Sequence, residues 1–185
     1  MVRDILKQTE DKMSKAVEVV RQELVKIRTG KATTALLDGV KVEYYGSPVP
    51  LKQVANVSVL DVHTISIQPW EKNMVSPIEK AIIAANLGLN PVSDGTIVRV
   101  PIPPLNEERR RELVKLVKKF AEEGKVAVRN VRRDAIEHLK KSEKAEHFSE
   151  DERKRGETEA QKMTDKHIKD IDSLVTMKEK EIMEV

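Results

Sequence analysis

Apolar residues recur along the first 28 positions with a sevenfold beat. Leu6, Met13, Val20 and Ile27 stand seven apart, and Val17 and Leu24 fill the alternate step. A sustained spacing of three and four gathers these side chains on one stripe of a helix and leaves the rest charged. Neither Gly nor Pro interrupts residues 2–28. The pattern predicts that this helix stops at Gly30, with Lys26 and Arg28 in a last turn where cations favour the helix dipole.

From Lys31 the period changes from helical to alternating. Val40-Lys41-Val42-Glu43-Tyr44-Tyr45 runs into the turn signal Gly46-Ser47-Pro48. Val54 to Leu60 and Thr64 to Gln68 are two further β-rich runs, and Thr96 to Val100 is a last one. Pro48, Pro50 and Pro69 point to edge or terminal strand positions. Between these runs, Ser76, Pro77 and Glu79 read as N-cap, first helical residue and capping-box acid. Ile78, Ala81, Ile82 and Ala85 would form that helix's apolar face, with Gly88 ending it. Residues 31–104 thus predict a small β/α/β unit with four to six strands and one helix.

The helical period returns near Asn106 and runs to His147. Leu113, Val117, Phe120, Val131 and Ala135 hold one side of a rod roughly 60 Å long, at ~1.5 Å per residue. Ser149 with Glu152 three residues on is a second capping box. It opens a final helix striped by Ile168, Ile171, Val175 and Ile182, with His147-Phe148 as the turn before it. Three long stripes need one another, so the expected fold class is α+β. Residues 1–30 and 105–185 would form an elongated three-helix bundle, with residues 31–104 inserted between its helices. Two connections join the parts, at Thr29, Gly30 and Lys31 and at Pro103, Pro104 and Leu105. They predict either a hinge or an elbow stiffened by proline.

Composition narrows the class. Only 3% of the side chains are aromatic and 35% are charged, as in long amphipathic helices. No cysteine is present, so disulfides and thiolate metal sites are excluded. The first residues carry charges throughout, unlike a signal peptide, and no apolar run reaches a membrane span. These features predict a soluble, cytoplasmic protein. The net charge of +3 is unevenly spread: residues 105–148 carry 13 basic and 9 acidic groups, residues 149–185 carry 8 and 11. Such asymmetry suggests a polyanionic partner.

The excess concentrates in V-A-V-R-N-V-R-R-D-A, Val126 to Ala135. At ~100° per residue, with Lys125 at 0°, Arg111 and Arg129 fall near 40° and Lys118 near 20°. Arg132 falls near 340° and Arg133 near 80°, while the apolar positions lie between roughly 220° and 280°. The basic stripe is therefore expected on the side away from the core. The arginine fork suits phosphate and guanine edges, and the absence of interleaved aromatics favours backbone over stacking contact. Pairing with neighbouring acids such as Asp134 and Glu137 is the competing reading, and both stay open on these residues alone. Charge-mediated docking to an acidic protein, or catalysis at the joint between the parts, are further alternatives.

Signals for chemistry fail. A phosphate loop ending at Gly30-Lys31 would need Gly where Val25 stands and Ser or Thr where Ala32 stands. His63, His138, His147 and His167 lack metal-ligand spacing and are expected on surfaces or helix seams. Trp70 is expected as a core anchor of the small unit. No catalytic residue, metal or cofactor is implied.

Seven stretches in order resemble the bacterial ribosome recycling factor family. They are K-I-R-T-G-K-A from Lys26, V-E-Y-Y-G from Val42, P-L-K-Q-V-A from Pro50, I-E-K-A-I from Ile78 and L-G-L-N-P from Leu87. I-P-P-L-N-E-E-R-R from Ile102 and V-A-V-R-N-V-R-R-D-A from Val126 complete the set. The resemblance implies an L-shaped, tRNA-like monomer without enzymatic activity of its own. It would bind the post-termination ribosome on large-subunit rRNA at the subunit interface. With elongation factor G and GTP it would split the subunits and release mRNA. It places RNA contacts at Arg129, Arg132 and Arg133, and near the joint at Arg28. Thr33-Thr34 stand where many members have proline, and His63 where arginine is common.

Overall fold

The computed structural model describes residues 1–145 and 147–184. Along the chain, helix α1 spans Val2–Val25 and is followed by the hairpin β1 (Lys41–Tyr44) and β2 (Ser47–Pro50). Strands β3 (Ala55–Asp61) and β4 (Thr64–Pro69), helix α2 (Val75–Ala84), and strands β5 (Val92–Ser93) and β6 (Val98–Pro101) come next. Helices α3 (Glu107–Lys144) and α4 (Glu150–Met183) complete it. Two compact units result, Met1–Arg28 with Asn106–Val185, and Thr29–Leu105. Among the described residues no helix is long and apolar enough to cross a membrane.

In the first unit α1, α3 and α4 pack pairwise against one another. α1 buries Ile5, Thr9, Met13, Val17, Val20 and Leu24, whereas Leu6 is only half-buried. The Thr9 hydroxyl donates to the Ile5 carbonyl at 2.7 Å, which satisfies a polar atom on the core stripe. The helix stops at Val25, short of Gly30, and Lys26 forms its C-cap with right-handed φ and ψ. Arg28 therefore lies beyond the last turn, and Gly30, with φ of 75°, turns the chain afterwards.

Small residues set the seams of the bundle. α3 buries Leu113, Val117, Ala121, Gly124, Val128, Ala135, Leu139 and Ser142, while Phe120 and Val131 are half-buried at its edge. A Cβ on Gly124 would run into Val20 of α1 and would meet Ile171 of α4 at 3.4 Å. Gly156 of α4 likewise lies where a Cβ would meet Leu139 at 3.1 Å and Val2 at 3.3 Å. In α4, Ile171 and Ile182 are buried as the stripe predicts, but Ile168 and Val175 are half-buried. Ala160, Thr164 and His167 take the interior positions instead. The capping box at Ser149 is present: its Oγ accepts from Glu152 N, and its own N–H donates to the Glu152 carboxylate at 2.9 Å. Asn106 caps α3 by accepting from Arg109 N at 2.7 Å.

The second unit holds a β1–β2 hairpin and an antiparallel sheet ordered β3-β4-β6-β5. Val42, Leu51, Ile65, Ile67, Ile78, Ile82, Val98 and Val100 form its core. Pro48 and Pro50 lie in the two-stranded hairpin, where the missing N–H is tolerated. α2 begins earlier than its sequence motif suggests. A 3₁₀ turn over Lys72–Met74 runs straight into Val75, so Ser76 and Pro77 lie inside the first turn and Ser76 makes no cap. There Pro77 still replaces an N–H that has no helical partner. Ala85 is exposed, and Asn86, with φ of 54°, reverses the chain before Gly88. Trp70 is 67% exposed, so it is not a core anchor: its N–H bonds to Val54 O as β4 ends, which leaves the ring outside. Asp94 accepts from Ile97 N, Thr96 N and the Thr96 hydroxyl, and these bonds hold its carboxyl down to about 2.

Candidate nucleic-acid interface

The basic residues of α3 divide into two rows. Lys118, Lys125 and Arg132 stand seven apart on the flank that faces α4. Lys125, only 21% exposed, pairs with Asp172 of α4, Lys118 approaches Glu179 at 3.9 Å, and Arg132 donates to Gln161 Oε1 at 3.0 Å. These three therefore do not point away from the bundle. The physical reason is the true centre of the buried stripe. Ala121, Val128 and Leu139 move it to roughly 290° on the scale used above, within a quarter turn of Arg132 and Lys125.

The second row faces solvent. Arg111 is 74% exposed and pairs with Glu107 one turn before it. Arg129, 42% exposed, reaches Glu122 at 3.3 Å. Arg133 is exposed and makes no ion pair among the described residues. Glu137, which could have claimed it, bonds to Lys141 instead, and that bond holds its carboxyl below the usual range. Exposed ion pairs of this kind are worth ~0–1 kcal/mol. A phosphate can therefore displace Glu107 or Glu122 at small cost and gain a charge-assisted bond in exchange.

Lys140 belongs to this outward row and escaped the sequence reading. It lies one heptad after Arg133, near 60° on the same scale, exposed and without an ion pair among the described residues. The heptad step was the signal that would have found it. Val126, 45% exposed, stands among these cations. Among the described residues of α3 the one aromatic, Phe120, is half-buried and lies near 220° on the same scale, away from these cations.

Within the second unit the two connections are laced together. Ala32 N donates to Val62 O at 2.7 Å, Ile102 N donates to His63 O at 2.7 Å, and His63 Nδ1 lies 3.0 Å from Gly30 O. The last contact is a hydrogen bond when Nδ1 carries the proton. Gly30 is buried, and a Cβ there would lie 3.2 Å from Leu105 Cγ and 3.7 Å from Pro103 O. Its positive φ and this close approach both call for glycine. Thr29, Gly30 and Lys31 thus share their surroundings with Pro103, Pro104 and Leu105. Arg28 is exposed just past α1.

Residues 20–183 match the sequence profile of the ribosome recycling factor family. The chain belongs to that family. It is 57% identical, over the full chain and 99% of the relative, to the ribosome-recycling factor of Chlorobium phaeobacteroides. It is 56% identical, over the full length of both, to that of Symbiobacterium thermophilum. Its fold is similar to a solution structure of a ribosome recycling factor, with a TM-score of 0.77 and 51% identity over the whole chain and 98% of that structure. It is also similar, at a TM-score of 0.64 and 47% identity over the whole of both chains, to a second solved structure. That one describes the T. thermophilus recycling factor and E. coli elongation factor G bound to the E. coli post-termination complex. Recycling factors thus share with this chain the α+β architecture of a helical bundle carrying a small inserted sheet unit.

Proposed function

We propose that this chain is a non-enzymatic translation factor that binds the ribosome after termination. With elongation factor G and GTP it splits the subunits and frees the mRNA. The observation that carries this reading is similarity across the entire chain to recycling factors, one of which is described with elongation factor G on a post-termination complex. The site residues take roles that fit it. Arg129 and Arg133, with Arg111 and Lys140, meet large-subunit rRNA phosphates from the outward row. Arg132, Lys125 and Lys118 add positive potential from the α4 flank. Arg28 adds a contact near the joint formed by residues 29–31 and 103–105. The factor works as a monomer in the cytoplasm and needs no cofactor of its own.

The test is subunit dissociation followed by light scattering. Post-termination complexes mixed with this protein, elongation factor G and GTP are expected to lose scattering, and omission of any one component abolishes the change. Dissociation that proceeds equally well without this protein would overturn the assignment.

A further inference from the structure

The second unit carries a cleft that the proposed function leaves unused. Trp70, Tyr44 and Glu71 line it over a floor of Val54 and Met74, and it encloses about 210 Å³. That is room for one long side chain. Tyr45 stands at the rim, its ring edge-on to Tyr44 with centroids 4.5 Å apart. Both phenols donate to one carboxylate, Tyr44 to Glu71 Oε1 at 3.1 Å and Tyr45 to Glu71 Oε2 at 3.2 Å. Glu71 makes no ion pair among the described residues, so a negative charge sits beside three aromatic rings without a cation. The bond to Glu71 pushes the Tyr44 phenol up, which keeps that hydroxyl a donor.

Tyr45 is placed at a cost. Tyr44 pairs with Ser47, so Tyr45 and Gly46 form a two-residue turn, and both have positive φ, 48° and 82°. Such turns prefer Asn or Gly at the first position, and a tyrosine there is strained. Its ring is also 76% exposed and Trp70 is 67% exposed. Two large exposed rings, one of them in a strained backbone, go unexplained by folding.

We propose that this cleft docks an arginine side chain of a partner protein. The guanidinium would stack on the indole of Trp70 and pair with Glu71. Each Glu71 oxygen keeps a lone pair free after accepting from its tyrosine. Arginine fits better than lysine because its planar fork both stacks and bonds a carboxylate in parallel. A nucleic acid fits worse, because Glu71 would repel its phosphates.

Trp70 is the sole tryptophan, so its fluorescence reports on this cleft alone. The full chain is titrated with acetyl-Gly-Arg-Gly-amide, with the lysine analogue, and with a uridine hexanucleotide. A saturable change is expected with the arginine peptide, about tenfold tighter than with lysine and about tenfold weaker in Glu71→Gln. Thermal melts verify folding. Tyr45→Asn, which relaxes the turn while removing one ring, provides a second variant and should also weaken the arginine response. The proposal is overturned by no saturable response to arginine, by a response unchanged in both variants, or by tighter binding of the RNA.

Discussion

Gly124 shows how much of the bundle hangs on single small residues. It sits where α3 meets both Val20 and Ile171. Replacing it with alanine gains about 1 kcal/mol of helix propensity. The added methyl, however, must displace Val20, which is 2% exposed and, being β-branched, has one favoured rotamer in a helix. Overpacking of a tight core costs about 1–3 kcal/mol. Gly124→Ala is therefore expected to lower stability in urea unfolding by about 1 kcal/mol, the propensity gain included. Val20→Ala in the same chain should relieve the clash and leave only the propensity gain, giving a coupling of about 2 kcal/mol in the double-mutant cycle. A Gly124→Ala protein at least as stable as the parent would show that the seam has slack. His63 is a comparable case in the second unit. Its ring reaches Gly30 O and ties the first connection to the turn between β3 and β4.

At the scale of elements, periodicity located the four α-helices of the described residues and strands β1, β3, β4 and β6, but it read the start of β2 as a turn, missed the short β5 and placed edges less well. The same Ser-x-x-Glu pattern occurs at Ser149 and at Ser76, and only the first caps a helix. The difference lies upstream, in the 3₁₀ turn over Lys72–Met74 that carries the chain into α2 before Ser76 is reached. The face of α3 was misplaced for a related reason. The stripe drawn through Leu113, Val117, Phe120, Val131 and Ala135 passed over Ala121, Val128 and Leu139, which are buried and move its centre toward the basic flank. That error decided which cations seemed to face outward. It left Arg129 and Arg133 legible from sequence, but hid the ties of Lys118, Lys125 and Arg132 to α4, which depend on tertiary neighbours. Trp70 was misread because position after a strand does not say which way a ring turns. The cap at Ser149 gives a direct check: Ser149→Ala should cost about 1 kcal/mol in thermal or urea unfolding. No change would mean that the Glu152 carboxylate alone holds the start of α4.

At the scale of the whole molecule, two compact units are joined by two short connections. Their lacing in the second unit, through Gly30, Val62, His63 and Ile102, confines any pivot to the few residues between that knot and the ends of α1 and α3. The chain has no cysteine, so spin labels can be placed at Arg21→Cys and Val92→Cys without background. A working hinge predicts more than one inter-label distance in the free protein and a shifted distribution on the ribosome. One narrow distance shared by both states would identify a rigid elbow.

The outward basic row makes the sharpest claim, that Arg129 and Arg133 engage rRNA phosphates. Equilibrium binding to intact ribosomes, measured across a range of KCl concentrations, tests it directly. Arg129→Ala and Arg133→Ala are each expected to weaken binding about tenfold. Each should also flatten the salt dependence by roughly 0.7–0.9 of a unit in the log–log slope. Lys15→Ala, which removes an exposed cation on α1, should leave both nearly unchanged. Full-strength binding with an undiminished slope in both arginine variants would contradict the account.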